Sequence, residues 1–173
     1  KNLGNLLKNS GRAPSYFGNI YGIGVSMINM SALGILYTSY VIIMKQPLNG
    51  SVLGGIFTIF GFGIFGKHLK NVFPILVGTL IAYFLNIYDP KSISATVTIL
   101  FATNLAPVAG EYGFIAGIFA GFCHVSIVSS VGLLHGGLNL YNNGFSGGFV
   151  AATLVPIFES IRNSRFFDKN EEE

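Results

Sequence analysis

The chain has 173 residues, 51% of them hydrophobic and only 10% charged, with a net charge of +3 and a mean hydropathy of +0.60. A water-soluble domain carries roughly a quarter of its residues charged, so this composition argues against one, and positive residues confined to ends and loops argue against a nucleic-acid surface. A lone cysteine, Cys123, inside an apolar run excludes a disulfide framework.

The charges punctuate the chain. No Asp, Glu, Lys or Arg occurs at 13–44, 46–66, 71–88, 92–110 or 112–158. About 17 to 25 predominantly apolar residues are needed to cross a hydrocarbon core of about 30 Å. The pattern predicts an all-α, polytopic helical membrane protein with five to six transmembrane segments. Three regions are expected: a basic juxtamembrane arm at 1–15, a helical membrane domain at 16–161 and a charged, frayed tail at 162–173.

In chain order, the first span is expected at about 20–44, and a Lys45-Gln46-Pro47 break follows. The second, about 48–66, is short and rich in glycine, and Lys67-His68 and Lys70 end it as a headgroup anchor. The third covers about 72–88 and stops at Asp89-Pro90-Lys91. The fourth, 92–110, opens on the capping serines Ser92 and Ser94 but carries Asn104 and Pro107 where a span is continuous. Its apolar part before Thr103 is only about 11 residues, too short for a straight crossing. Two readings stay open, a full span and a re-entrant half-helix that turns back at 103–110. A fifth span at 112–134 and a last at 138–161 complete the chain.

With six crossings, eight Lys and Arg fall on one side, whereas Lys45 and Lys91 fall on the other. The positive-inside rule then places both termini in the cytoplasm, in a multi-pass protein of the inner (cytoplasmic) membrane. A re-entrant fourth segment would instead put the termini on opposite sides. The chain opens on Lys1 rather than Met, so a missing N-terminal half is expected as a partner, beside the bilayer itself.

Polar groups at membrane depth are costly unless paired, or facing water or a ligand. That singles out Thr103 and Asn104 in Thr103-Asn104-Leu105-Ala106-Pro107, where backbone is freed at a helix break. It also singles out Asn139, Tyr141, Asn142 and Asn143, followed by Gly144 and Gly147-Gly148, and Asn49 ahead of Gly50 and Gly54-Gly55. These are the candidate solute-path residues. The plain alternative for the glycines is helix packing. Glu111, His124 and His135 are candidates for coupling or gating, against plainer readings as a membrane-edge carboxylate and histidines settled in the bundle. His124 and His135 are 11 residues apart, roughly 16 Å along a helix, too far to share an ion. No metal site, no cofactor and no catalytic motif is expected.

Around Pro47-Leu48-Asn49-Gly50-Ser51-Val52-Leu53-Gly54-Gly55-Ile56, around 61–68 and around 135–145, the chain resembles an uncharacterised family of bacterial polytopic membrane proteins, known as a domain of unknown function. That resemblance covers most of the chain, implies the C-terminal half of a longer protein, and names no activity. Gln46-Pro47-Leu48-Asn49-Gly50, then Leu76-Val77-Gly78-Thr79-Leu80-Ile81-Ala82, then the start at Ser92 to Thr96, are distantly similar to one repeat of the bacterial urea transporters. That similarity implies a re-entrant half-helix, one half of an inverted repeat, a narrow pore and an oligomer of identical chains. Thr103-Asn104-Leu105-Ala106-Pro107 departs from it, standing where those transporters carry Tyr-Asn-Gly.

The function expected is therefore a channel or transporter-like protein passing a small, polar, neutral solute. An accessory or structural membrane subunit is the alternative. An intramembrane enzyme, built on His124, His135 or Glu111, is disfavoured by their spacing.

Overall fold

The uncharged stretches carry the helices, and Asn49 and Ser92 cap two of them at their polar borders. The computed structural model describes residues 2–85, 89, 91–135 and 139–171, with side chains described outside 133–140 and 165–171. The elements are α1 (Asn2–Leu6), α2 (Phe17–Tyr21), α3 (Ile23–Ile43), α4 (Gly50–Phe62), α5 (Leu69–Leu85), α6 (Ile93–Ala102), a 3-10 turn (Thr103–Leu105), α7 (Ala106–Tyr112), α8 (Phe114–His135) and α9 (Asn139–Glu171). No strand occurs among the described residues. Asn49 starts α4 by accepting the Val52 N–H at 3.0 Å, and Ser92 starts α6 by accepting the Ala95 N–H at 3.0 Å. Each satisfies one orphan donor of a helix N-terminus.

Tertiary hydrogen bonds, together with chain order, fix the directions of the long helices. At one end, Gln46 Nε2 donates to the Lys91 carbonyl (2.6 Å), which ties the end of α3 to the start of α6. At the other, the arm end, Asn71 donates to Ser10 and Arg162 to Glu111. Asn29, near the start of α3, donates to the carbonyl of Gly63 just past α4. So α3, α5 and α8 run away from the arm end, and α4, α6–α7 and α9 run back to it.

Among the described residues, four segments are long and apolar enough to cross a membrane: Ile23–Ile43, Ile93–Tyr112, Phe114–Gly132 and Tyr141–Ser164. The helices α4 and α5, of 13 and 17 residues, are shorter. Of the Ile93–Tyr112 segment 67% is buried, against 22% to 44% of the other three, which makes it the centre of the bundle.

For that central segment the sequence leaves a full span and a re-entrant half-helix open, and the backbone runs through it without reversing. Ala102, Thr103 and Ala106 all keep right-handed helical dihedrals. Pro107 stands in the first turn of α7, where its missing N–H costs nothing. A 3-10 turn absorbs the break, and the segment runs on to Gly113, whose φ of 95° ends it. Helix α9 extends past Ile161 to Glu171.

Small residues bring the backbones together. A Cβ on Gly78 or Gly121 would collide with backbone of the facing helix, Ile118 and Ile75 respectively, so α5 and α8 touch at main-chain distance. Leu33, Tyr37, Val41, Ile56, Ile59 and Leu100 fill one half of the core, while Ile75, Ala102, Leu105, Ala120, Val150 and Leu154 fill the other. The basic arm belongs to the packed structure: Leu6 is fully buried, and Gly11 and Gly66 meet back to back at φ of 75° and 112°.

Candidate functional site

Helix α9 carries an inward stripe that changes character halfway along. Asn142, Asn143 and Ser146 are buried, and so, further down, are Val150 and Leu154. Residues three and four apart share a helix face, so the loop-end half of this stripe is polar and the arm-end half apolar.

Facing it, α8 contributes His124, which is fully buried. Its Nε2 lies 3.1 Å from Asn143 Oδ1, and an acceptor there assigns the ring proton to Nε2. The other nitrogen, Nδ1, has no partner, and neither have the buried Asn142 Oδ1 and Ser146 Oγ. Buried polar atoms are nearly always paired, so three orphans in one seam are unusual. A bridging water or polar solute is what such atoms accept.

Two cavities extend the seam. One of about 310 Å³ lies at the loop end, lined by Asp89 and Ser92, by Ser94 and Thr98 of α6, by Ser129 of α8 and by Asn142 of α9. The other, about 160 Å³, lies between α7 and α9, lined by Asn104, Val108, Tyr112, Ala151 and Val155, with Arg12 and Glu111 at its arm end. Between the two, Asn104 presses its amide against Gly147, where a Cβ would collide with it. Charged groups close the arm end. Arg162 meets Glu111 at 2.9 Å, Arg12 lies 3.7 Å from Glu159, and the Tyr112 hydroxyl donates to Glu159 at 3.1 Å.

Of the residues singled out in the sequence, His124, Asn142 and Asn143 come together, and Asn104 adjoins them through Gly147. Glu111 lies at the arm end, in the ion-paired cluster. Asn49 is an N-cap. Thr103 is buried, accepting from Lys67 Nζ and donating to the Leu100 carbonyl. Tyr141 is 72% exposed and turns outward. The side chains of His135 and Asn139 lie outside the described residues. Sequence reasoning missed Ser146, Thr98, Arg12, Glu159 and Arg162. Ser146, four residues after Asn142, and Thr98, four after Ser94, were findable by helical spacing. The arm-end ion pairs join residues too far apart in sequence to leave such a signal.

Among the described residues no group of three His, Cys, Asp or Glu side chains is placed to hold a metal. No curated protein and no solved structure matches the chain. A family model does match, over residues 1–160 of the 173. The chain belongs to that family, described as protein of unknown function (DUF1576).

Proposed function

We propose that this apolar helical protein passes a small, neutral, polar solute along the seam between α6–α7, α8 and α9. The observation that supports this is the set of orphaned acceptors, His124 Nδ1, Asn142 Oδ1 and Ser146 Oγ, lying along a seam with a cavity at either end. A solute with N–H or O–H donors satisfies them as it passes, so its hydration is replaced step by step. Helices α8 and α9 carry no Asp, Glu, Lys or Arg from 114 to 158, which favours a neutral solute over an ion. Glu111, Arg162, Arg12 and Glu159 form the gate at the arm end, and Asn104 the constriction.

The same reading makes all six main segments cross the inner membrane. Their alternating directions support it, and so does charge: Lys8, Arg12, Lys67, Lys70 and Arg162 belong to the arm end, Lys45 and Lys91 to the other. The arm end is then cytoplasmic. The 13 residues of α4 rise only about 20 Å, and the loops on either side complete its crossing.

The test is stopped-flow light scattering on proteoliposomes of the full-length protein with a panel of small neutral solutes. Reswelling above empty liposomes is expected for a subset of solutes, and Asn142→Leu should abolish it without changing the thermal midpoint. Rates equal to empty liposomes for every solute would overturn the reading in favour of an accessory subunit.

A further inference from the structure

A second buried polar feature lies outside the seam. Lys67, in the turn between α4 and α5, is only 7% exposed, and its side chain points inward. Its Nζ donates to Thr103 Oγ1 at 2.9 Å and sits 5.2 Å from the centre of the Phe62 ring. The Thr103 hydroxyl is itself committed to the Leu100 carbonyl at 2.8 Å, so it serves the ammonium as an acceptor only. The backbone around Lys67 is held as well, since Asn29 Nδ2 donates to the carbonyls of both Gly63 and Lys67 at 2.8 Å.

An ammonium has three N–H donors, and one oxygen and one ring face leave it incompletely served. No carboxylate pairs with it: the ion pairs among the described residues join Arg12 to Glu159 and Arg162 to Glu111. A buried cation without a counter-charge is among the costliest arrangements in a protein. A lysine at a membrane edge ordinarily avoids that cost by snorkelling to water, which this one does not do.

Beside Lys67 opens a cavity of about 370 Å³, walled by Phe62, Phe65, Phe101 and Pro107, with Asn104 as a second polar group. Phe62 and Phe65 are themselves about half exposed, at 51% and 55%, so the apolar wall reaches the outer surface of the bundle. The site thus joins a cation and an amide to an apolar channel open to the side.

We propose that this cavity binds an amphiphilic oxyanion, its charged head on Lys67 and Asn104 and its apolar tail along Phe62 and Phe65. A carboxylate of fatty-acid type and the phosphate of an anionic lipid share that chemistry. The inference shares Asn104 with the proposed solute path but concerns binding and needs no flux, so Lys67, which lines this cavity and neither cavity of the seam, tells the two apart.

The experiment uses the full-length protein, delipidated in a neutral maltoside detergent, and follows its thermal midpoint and isothermal titration. Octanoate is compared with octanol, and phosphatidylglycerol with diacylglycerol. Saturable binding of one anionic probe and not of its neutral counterpart is expected. Lys67→Met should weaken it at least tenfold, whereas the exposed Lys70→Gln should not. Asn104→Leu, a second change in the cavity wall, should weaken it also. A response to octanoate identifies a free carboxylate as the source, and a response to phosphatidylglycerol alone a membrane lipid. No saturable binding of either anion, equal binding of the neutral counterparts, or binding that survives Lys67→Met would overturn the proposal.

Discussion

Two buried polar clusters in this molecule differ in how their atoms are paired. At the arm end, each polar side-chain atom of the Asn71–His68 knot has a partner. Asn71 Nδ2 donates to the Gly66 carbonyl (2.9 Å) and its Oδ1 accepts the His68 N–H (2.9 Å). His68 Nε2 donates to the Asn9 carbonyl (2.8 Å), and its Nδ1 faces the Asn71 N–H (3.3 Å). In the seam, by contrast, His124 Nδ1, Asn142 Oδ1 and Ser146 Oγ have none. A satisfied network rigidifies and specifies a fold, whereas an unsatisfied one costs stability in the empty protein. The knot therefore reads as architecture, pinning the N-terminal arm to the bundle, and the seam as a place kept for something else.

The sharpest way to break this contrast is to remove the knot's central amide. Asn71→Leu leaves the Gly66 carbonyl and the His68 N–H without partners. At about 1 to 3 kcal/mol for each buried orphan, the loss should reach roughly 2 to 6 kcal/mol. Thermal unfolding in detergent should show the midpoint falling by many degrees. An unchanged midpoint would mean that the arm end is not the structural half of the molecule.

The knot was the part least legible in the sequence. Lys67, His68 and Lys70 read as three surface cations, yet only Lys70 is exposed. Lys67 and His68 turn inward because Thr103 and Asn9, 36 and 59 residues away, supply the acceptors. Nothing local announces such partners. The helices were legible, because charge-free stretches bounded by Asn49 or Ser92 leave little choice of end. The fourth segment was legible only in part: Asn104 and Pro107 fit a span or a reversal, and a 3-10 turn accommodates both in one continuous segment. In the seam the asparagine cluster was visible, though not its division. Successive helical residues point about 100° apart, which buries Asn142 and Asn143 and leaves Tyr141 outside.

Titration sharpens the contrast next. Burial pushes Lys67 down to about 8 from 10.5, and the unfolded chain then holds its proton across that interval while the folded one releases it. Stability should rise with pH between about 8 and 10.5, and Lys67→Met should flatten this window. Burial also holds His68 below its usual 6.5. Here the folded chain resists a proton that the unfolded chain accepts, so stability is lost as pH falls below 6.5, by up to about 1.4 kcal/mol per unit. Midpoints measured from pH 7.5 to 5 should fall more steeply for the wild type than for His68→Gln. Equal slopes would remove His68 from the closed knot.

The smallest expected effect is the most telling about the seam. Ser146→Ala deletes a buried hydroxyl that has no hydrogen-bond partner. Deleting a paired buried hydroxyl strands its partner and costs about 1 to 3 kcal/mol. Deleting an orphan strands nothing, and relief of its desolvation offsets the slightly looser packing around one missing oxygen. The stability should therefore stay within about 0.5 kcal/mol of the wild type, or rise. Solute reswelling in proteoliposomes should nevertheless slow, since the passing solute loses an acceptor between His124 and Asn104. A loss above about 1 kcal/mol would show that the Ser146 hydroxyl is engaged in the resting protein. The seam would then be a second knot, and its polarity would need no solute to explain it.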